Sequence, residues 1–64
     1  MDKDFWKGFL NFLDDAETSE IERRLQDTRS LLALGIRNPD VRADANRIVR
    51  FLEQELLLRQ SRHT

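Results

Sequence analysis

A break of only four residues between two helical segments constrains the fold of this chain more than any other feature. Gly35 can adopt the left-handed conformation that closes a helix. Asn38 followed by Pro39 is a typical helix start, with the asparagine as N-cap and the proline in the first turn. Because so short a connection makes consecutive helices antiparallel neighbours, the sequence predicts a helical hairpin.

The other helix ends carry weaker signals. Ser19 with Glu22 forms a capping box that predicts the start of the second helix. Ile36 is placed to contact Leu31 as in a Schellman motif. No Gly or Pro follows Pro39, so the third helix should end only by fraying. We predict a single domain over 1–64, with helices at about 3–14, 20–34 and 39–60 and a tail at 61–64.

Apolar side chains at helical spacing define the two faces that should meet inside the hairpin. They are Ile21, Leu25, Thr28 and Leu32 on the second helix, and Val41, Ala45, Ile48, Val49, Leu52 and Leu56 on the third. Leu31 and Leu34 lie off the first face, and Phe51 and Leu58 form a second face of the third helix. Something else must cover these four residues, either the first helix or a partner molecule.

The first helix, which Asp2 or Asp4 should cap, carries four of the five aromatic residues of the chain. Three roles are open for its apolar arc: the protein's own core, an anchor in another protein's groove, or a membrane-surface contact that its acidic polar face disfavours. Gly8 could allow a close approach. The candidate protein-binding residues are Phe5, Trp6, Phe9, Leu10, Phe12, Leu13, Phe51 and Leu58.

The length of 64 residues favours association. Chains below about 70 residues usually need disulfides, a metal or a partner subunit, and this one has no Cys and a single His. The predicted fold is therefore all-α: a short N-terminal amphipathic helix and an antiparallel two-helix hairpin, completed as a helical bundle by homodimerisation.

Charge is unevenly distributed along the chain. Residues 1–20 hold two Lys against six acidic residues, whereas the remainder holds nine Arg against six. Arg42, Arg47 and Arg50 are the candidates for nucleic-acid binding, which we rank below protein binding because acids at helical spacing can pair with many of the arginines. The predicted pairs are Glu20 with Arg24, Asp44 with Arg47, Glu53 with Arg50, and Glu55 with Arg59. Arg59 also continues an apolar face, so it must pair or extend its stem along the surface.

Motifs for catalysis or cofactor binding are missing from the sequence. His63 has no Cys, second His or Ser arranged around it. The acidic cluster Asp14, Asp15 and Glu17 lacks the spacing and glycine of a calcium loop, and we interpret it as a solvated linker. No Gly-rich phosphate loop or nucleophile motif occurs. We expect neither an enzyme nor a bound cofactor or metal.

The size, the hairpin plan and the lack of catalytic motifs resemble, in type only, the small helical regulators, inhibitors and secretion adaptors of bacteria and phages. We therefore predict a small regulatory or adaptor protein that modulates a protein partner. Its first residues lack a basic signal-peptide region and its longest apolar run is too short for a membrane span. We expect a cytoplasmic location, in a bacterium or, for a phage protein, in the host cell. The alternatives are a nucleic-acid-binding module and a structural subunit of a larger assembly.

Overall fold

The computed structural model describes residues 2–62, whose regular secondary structure consists of α-helices alone. Its helices are α1 (Lys3–Asp15), α2 (Thr18–Leu34) and α3 (Pro39–Arg62). The all-α prediction is confirmed. Helices α2 and α3 pack along each other on either side of the short connection. The start of α2 lies beside the end of α3, where Arg59 donates a hydrogen bond to Thr18, so the pair is antiparallel.

Two helix starts follow the sequence signals. The Asp2 carboxylate accepts a hydrogen bond from the Phe5 N–H at 2.9 Å, so Asp2 rather than Asp4 caps α1. The Asn38 side-chain oxygen accepts from the N–H groups of Asp40 and Val41, at 2.9 and 3.3 Å. Each cap satisfies backbone donors that have no partner within the helix.

The predicted start of α2 at Glu20 is wrong. The helix begins two residues earlier, at Thr18, and Glu17 occupies the N-cap position without a side-chain cap. Its carbonyl accepts from the N–H groups of Glu20 and Ile21. Ser19 therefore lies inside the first turn. Contacts across the fold favour this longer helix, because the Thr18 hydroxyl is bound by Arg59.

Helix α2 ends at Leu34 as predicted, but through a different closing motif, and the end of α3 differs from the prediction. Gly35 has φ +90°, as expected of a glycine stop, and its N–H donates to the Leu32 carbonyl. Its ψ of 104° is outside the left-handed helical region, so the Schellman prediction is wrong. Helix α3 continues to Arg62, which shortens the predicted tail at 61–64. Residues 63 and 64, including the interpretation of His63, lie outside the described residues.

The core lies where the three helices meet. Ile21 and Leu52 are completely buried, and Phe9, Leu13 and Leu25 complete the central cluster. Thr28 is buried too, and its hydroxyl donates to the Arg24 carbonyl at 2.8 Å, so its polar atom is satisfied. The predicted face of α2 is thereby confirmed at its buried positions.

Helix α1 lies along α3 in the same direction and reaches only part of the hairpin. Trp6 is near Phe51 and Arg47 of α3, and Leu13 is near Arg59. At 1.5 Å per residue α1 is about 20 Å long and α3 about 36 Å. Val41, predicted as core, is instead 44% exposed and lies in the first turn of α3, next to the connection.

Gly8 does not serve a close helix approach. A Cβ atom built at this position would have no atom outside its own helix backbone within 4 Å. The glycine is exposed, and the space above it is open. The prediction of a close approach is therefore wrong.

Candidate protein-binding surface

The eight predicted protein-binding residues divide between core and surface. Phe9 and Leu13 are each 6% exposed and belong to the central cluster. The hydrophobic effect places them against the hairpin. They pack beneath the exposed residues and are not accessible to a partner. Trp6 and Phe12 are half-buried at the edge of the same cluster.

An apolar groove runs between α1 and α3. Its exposed apolar side chains are Leu10 from α1 and Phe51 and Leu58 from α3, with Leu13 at its buried side. Asp14, Gln54 and Glu55 supply its polar rim. We call this surface the α1–α3 groove. It brings together four of the predicted residues, of which Leu10 and Leu58 are 48 positions apart in the sequence.

Three aromatic residues of α1, Phe5, Phe9 and Phe12, line a second depression with Arg24 of α2. Phe9 stacks between Phe5 and Phe12, with ring centroids 6.1 and 6.4 Å apart. The Arg24 guanidinium lies 4.9 Å from the centroid of the Phe12 ring, a cation–π contact. This depression is therefore already partly covered by α2, and Phe5 is its most exposed aromatic ring.

Ring contacts hold the groove wall in place. Phe51 meets the rings of Trp6 and Phe9 at centroid distances of 6.0 and 6.1 Å. The contact with Phe9 is edge-to-face, a favoured geometry for aromatic pairs. One side of Phe51 is thus fixed by α1 while the side chain remains partly exposed to the groove.

Arg59 connects all three helices at one end of the groove. Its Nε donates to Glu55 at 2.8 Å, its Nη1 to the Thr18 hydroxyl at 3.1 Å and its Nη2 to the Leu13 carbonyl at 2.9 Å. The predicted pair of Glu55 with Arg59 is confirmed. The partners of Arg59 fix the end of α1, the start of α2 and a rim residue of the groove relative to one another.

The arginines predicted for nucleic-acid binding are exposed but differently engaged. Arg47 lies over the Trp6 ring at 5.5 Å. Arg47 and Arg50 line one shallow depression with Ala43 and Asn46, and Arg42 is not part of it. Glu53, predicted to pair with Arg50, pairs instead with Arg29 across the hairpin at 2.9 Å.

The rim of the α1–α3 groove contains polar residues that the sequence analysis did not select. Gln54 and Glu55 follow Phe51 by three and four residues and precede Leu58 by four and three. This spacing places them on the same face of α3 and could have identified them. The sequence predicts Asp14 to be part of a solvated linker, whereas it lies within α1 and on the groove.

Within residues 2–62, no group of three or more His, Cys, Asp or Glu side chains is arranged to hold a metal ion. None of the helices in this range combines the length and the apolar character that crossing a membrane requires. The chain matches no protein-family model, no curated protein and no solved structure.

Proposed function

We propose that this chain is a small non-enzymatic regulatory or adaptor protein, of the bacterial or phage inhibitor type, that acts in the cytoplasm. It binds a protein partner through the α1–α3 groove and forms a homodimer. The exposure of Leu10, Phe51 and Leu58 in one groove is the observation that carries the proposal. Adjacent exposed apolar side chains with a polar rim are typical of interaction sites.

The shape of the groove favours a helix as the bound element. Two parallel helices, α1 and α3, form its walls, and a third helix can place apolar side chains of one face between them. Leu10 and Phe51 would contact such a helix towards one end of the groove, and Leu58 would contact it towards the other. Asp14 on the rim favours a partner with a basic residue beside its apolar face.

The test is recovery of a partner from cell extract with matched leucine variants. Leu57 and Leu58 are neighbours in α3 and are 63% and 46% exposed, but only Leu58 lines the groove. We expect wild type and Leu57→Lys to retain a defined partner in a fixed ratio and Leu58→Lys to lose it. Equal retention by all three proteins would refute groove binding, and equal loss with both variants would indicate nonspecific apolar contact.

A nucleic-acid-binding role is the second candidate, because Arg47 and Arg50 lie with Asn46 on one exposed surface. Phosphate binding through these residues would weaken steeply with salt. Filter binding of DNA and RNA at two salt concentrations tests it, with Arg50→Gln as the variant. If the protein retains no DNA or RNA on the filter even at low salt, this role is excluded. A structural subunit of a larger assembly, the third alternative, would aggregate or unfold when purified alone.

A further inference from the structure

The hairpin has a second exposed apolar surface, at the end formed by its connecting loop. Leu34 is 83% exposed and Leu31 58%, one turn apart on α2, and Val41 lies exposed in the first turn of α3. Leu31 and Leu34 share one face of α2, and we call the surface that they form the tip patch. Towards this end, α1 contacts α3 through Trp6 and Arg47, six residues after Val41. The tip patch therefore lies beyond the part of the hairpin that α1 covers.

The total surface of the protein is large for its mass. It exposes 5179 Å², whereas a compact monomer of 7.6 kDa exposes about 4,300 Å². The excess of about 900 Å² is close to the roughly 800 Å² that each partner buries in a standard interface. A single extra contact with a molecule of similar size would bring the exposed surface to the value of a compact protein.

The residues around the tip patch favour a second copy of the chain. An isologous dimer requires a patch that is complementary to itself. When two α2 helices cross antiparallel with Leu31 of one opposite Leu34 of the other, the same apolar contact forms twice. Asp27, one turn before Leu31, is then brought towards the exposed Arg37, which follows Leu34 in the connection. Opposite charges thus flank the apolar centre on both sides of the two-fold axis.

We infer that the tip patch is the dimer interface of this protein and that a second copy packs on it antiparallel through α2. The inference rests on the proposed homodimer and gives it a location. It leaves the α1–α3 groove free for the protein partner. One dimer would then present two grooves, related by the two-fold axis.

The test measures mass in solution by light scattering as a function of concentration, with helicity by circular dichroism as the check on folding. Wild type should reach twice the chain mass. Leu34→Lys should weaken dimerisation about tenfold or more, because it places a charge in the apolar centre. It should not unfold the monomer, since Leu34 is almost fully exposed. Leu58→Lys, the matched groove variant, should dimerise as wild type does.

A charge exchange tests the register itself. Asp27→Arg and Arg37→Asp should each weaken dimerisation, and the double variant should restore it. A wild type that stays monomeric, or a double variant weaker than both single ones, would overturn the inference. Dissociation by Leu58→Lys with no effect of Leu34→Lys would move the dimer contact to the groove. That outcome would refute the tip interface while preserving the homodimer.

Discussion

The Arg59 guanidinium donates a hydrogen bond to the backbone carbonyl of Leu13 at 2.9 Å, across 46 positions of sequence. Leu13 lies in the last turn of α1, where carbonyl groups lack partners within the helix. The bond therefore satisfies an acceptor at the end of α1 and attaches that end to α3. Because Leu13 also forms the buried side of the α1–α3 groove, the same contact fixes the width of the groove at this end.

Replacing Arg59 by methionine should lower the free energy of unfolding by about 1–3 kcal/mol. Methionine keeps much of the apolar stem but removes every donor, and it leaves the Glu55 side chain, which is only 15% exposed, without its ion-pair partner. Urea unfolding followed by circular dichroism measures the change. Arg29→Met is the matched control, because its pair with Glu53 is nearly half exposed and should contribute less than about 1 kcal/mol. Equal losses in the two variants would contradict the role of Arg59.

The two glycines should respond to alanine in opposite directions. Gly8 lies within α1 with open space around it, so Gly8→Ala should raise the free energy of unfolding by about 0.5–1 kcal/mol. Gly35 has φ +90°, where an L-residue is strained, so Gly35→Ala should lower it by at least about 1 kcal/mol. Thermal unfolding of the two variants and wild type provides the comparison. Destabilisation by Gly8→Ala would contradict the open space around this position.

Helix α1 should behave as part of the core. Phe9→Ala removes a ring that is 6% exposed and should cost about 3–5 kcal/mol, most of the stability expected of so small a domain. We expect partial loss of hairpin helicity and a red shift in the fluorescence of Trp6, the single tryptophan of the chain. Phe5→Ala, at a ring that is 37% exposed, should leave hairpin helicity nearly unchanged. Helicity is the signal to compare for this variant, because the Phe5 and Trp6 ring centroids are 5.2 Å apart and the fluorescence responds to that contact directly. If Phe9→Ala kept full hairpin helicity, the packing of α1 would not be required for the hairpin to fold.

The side chain of Asn38 caps a helix, whereas that of Ser19, which the sequence also predicts as a cap, lies within one. Asn38→Ala removes an oxygen that accepts two backbone N–H groups and should cost about 1 kcal/mol. Ser19→Ala should cost little or nothing, because Ser19 is exposed and lies within the first turn of α2. Chemical denaturation of both variants measures the difference. A loss of about 1 kcal/mol in Ser19→Ala would restore the capping box that the sequence predicts.

Local signals in the sequence determined the helices and the hairpin. The Asn38 cap, the Pro39 start and the Gly35 stop each act within a few residues, and their effect does not depend on the rest of the fold. Helical spacing likewise identified Ile21, Leu25 and Leu52 as core positions, because the period of a helix fixes which side chains share a face.

Only the tertiary structure decided which apolar residues of α1 and α3 remain exposed. Phe9 and Leu10 are adjacent and both apolar, yet Phe9 is buried and Leu10 lines the groove, because α1 rests on the hairpin through one side of a broad apolar arc. Arg29 displaced Arg50 as the partner of Glu53 for a similar reason. Such choices depend on contacts between segments distant in sequence, whose geometry no local pattern encodes. The candidate site therefore combines four residues that the sequence selected with three rim residues that it did not, in an arrangement that only packing provides.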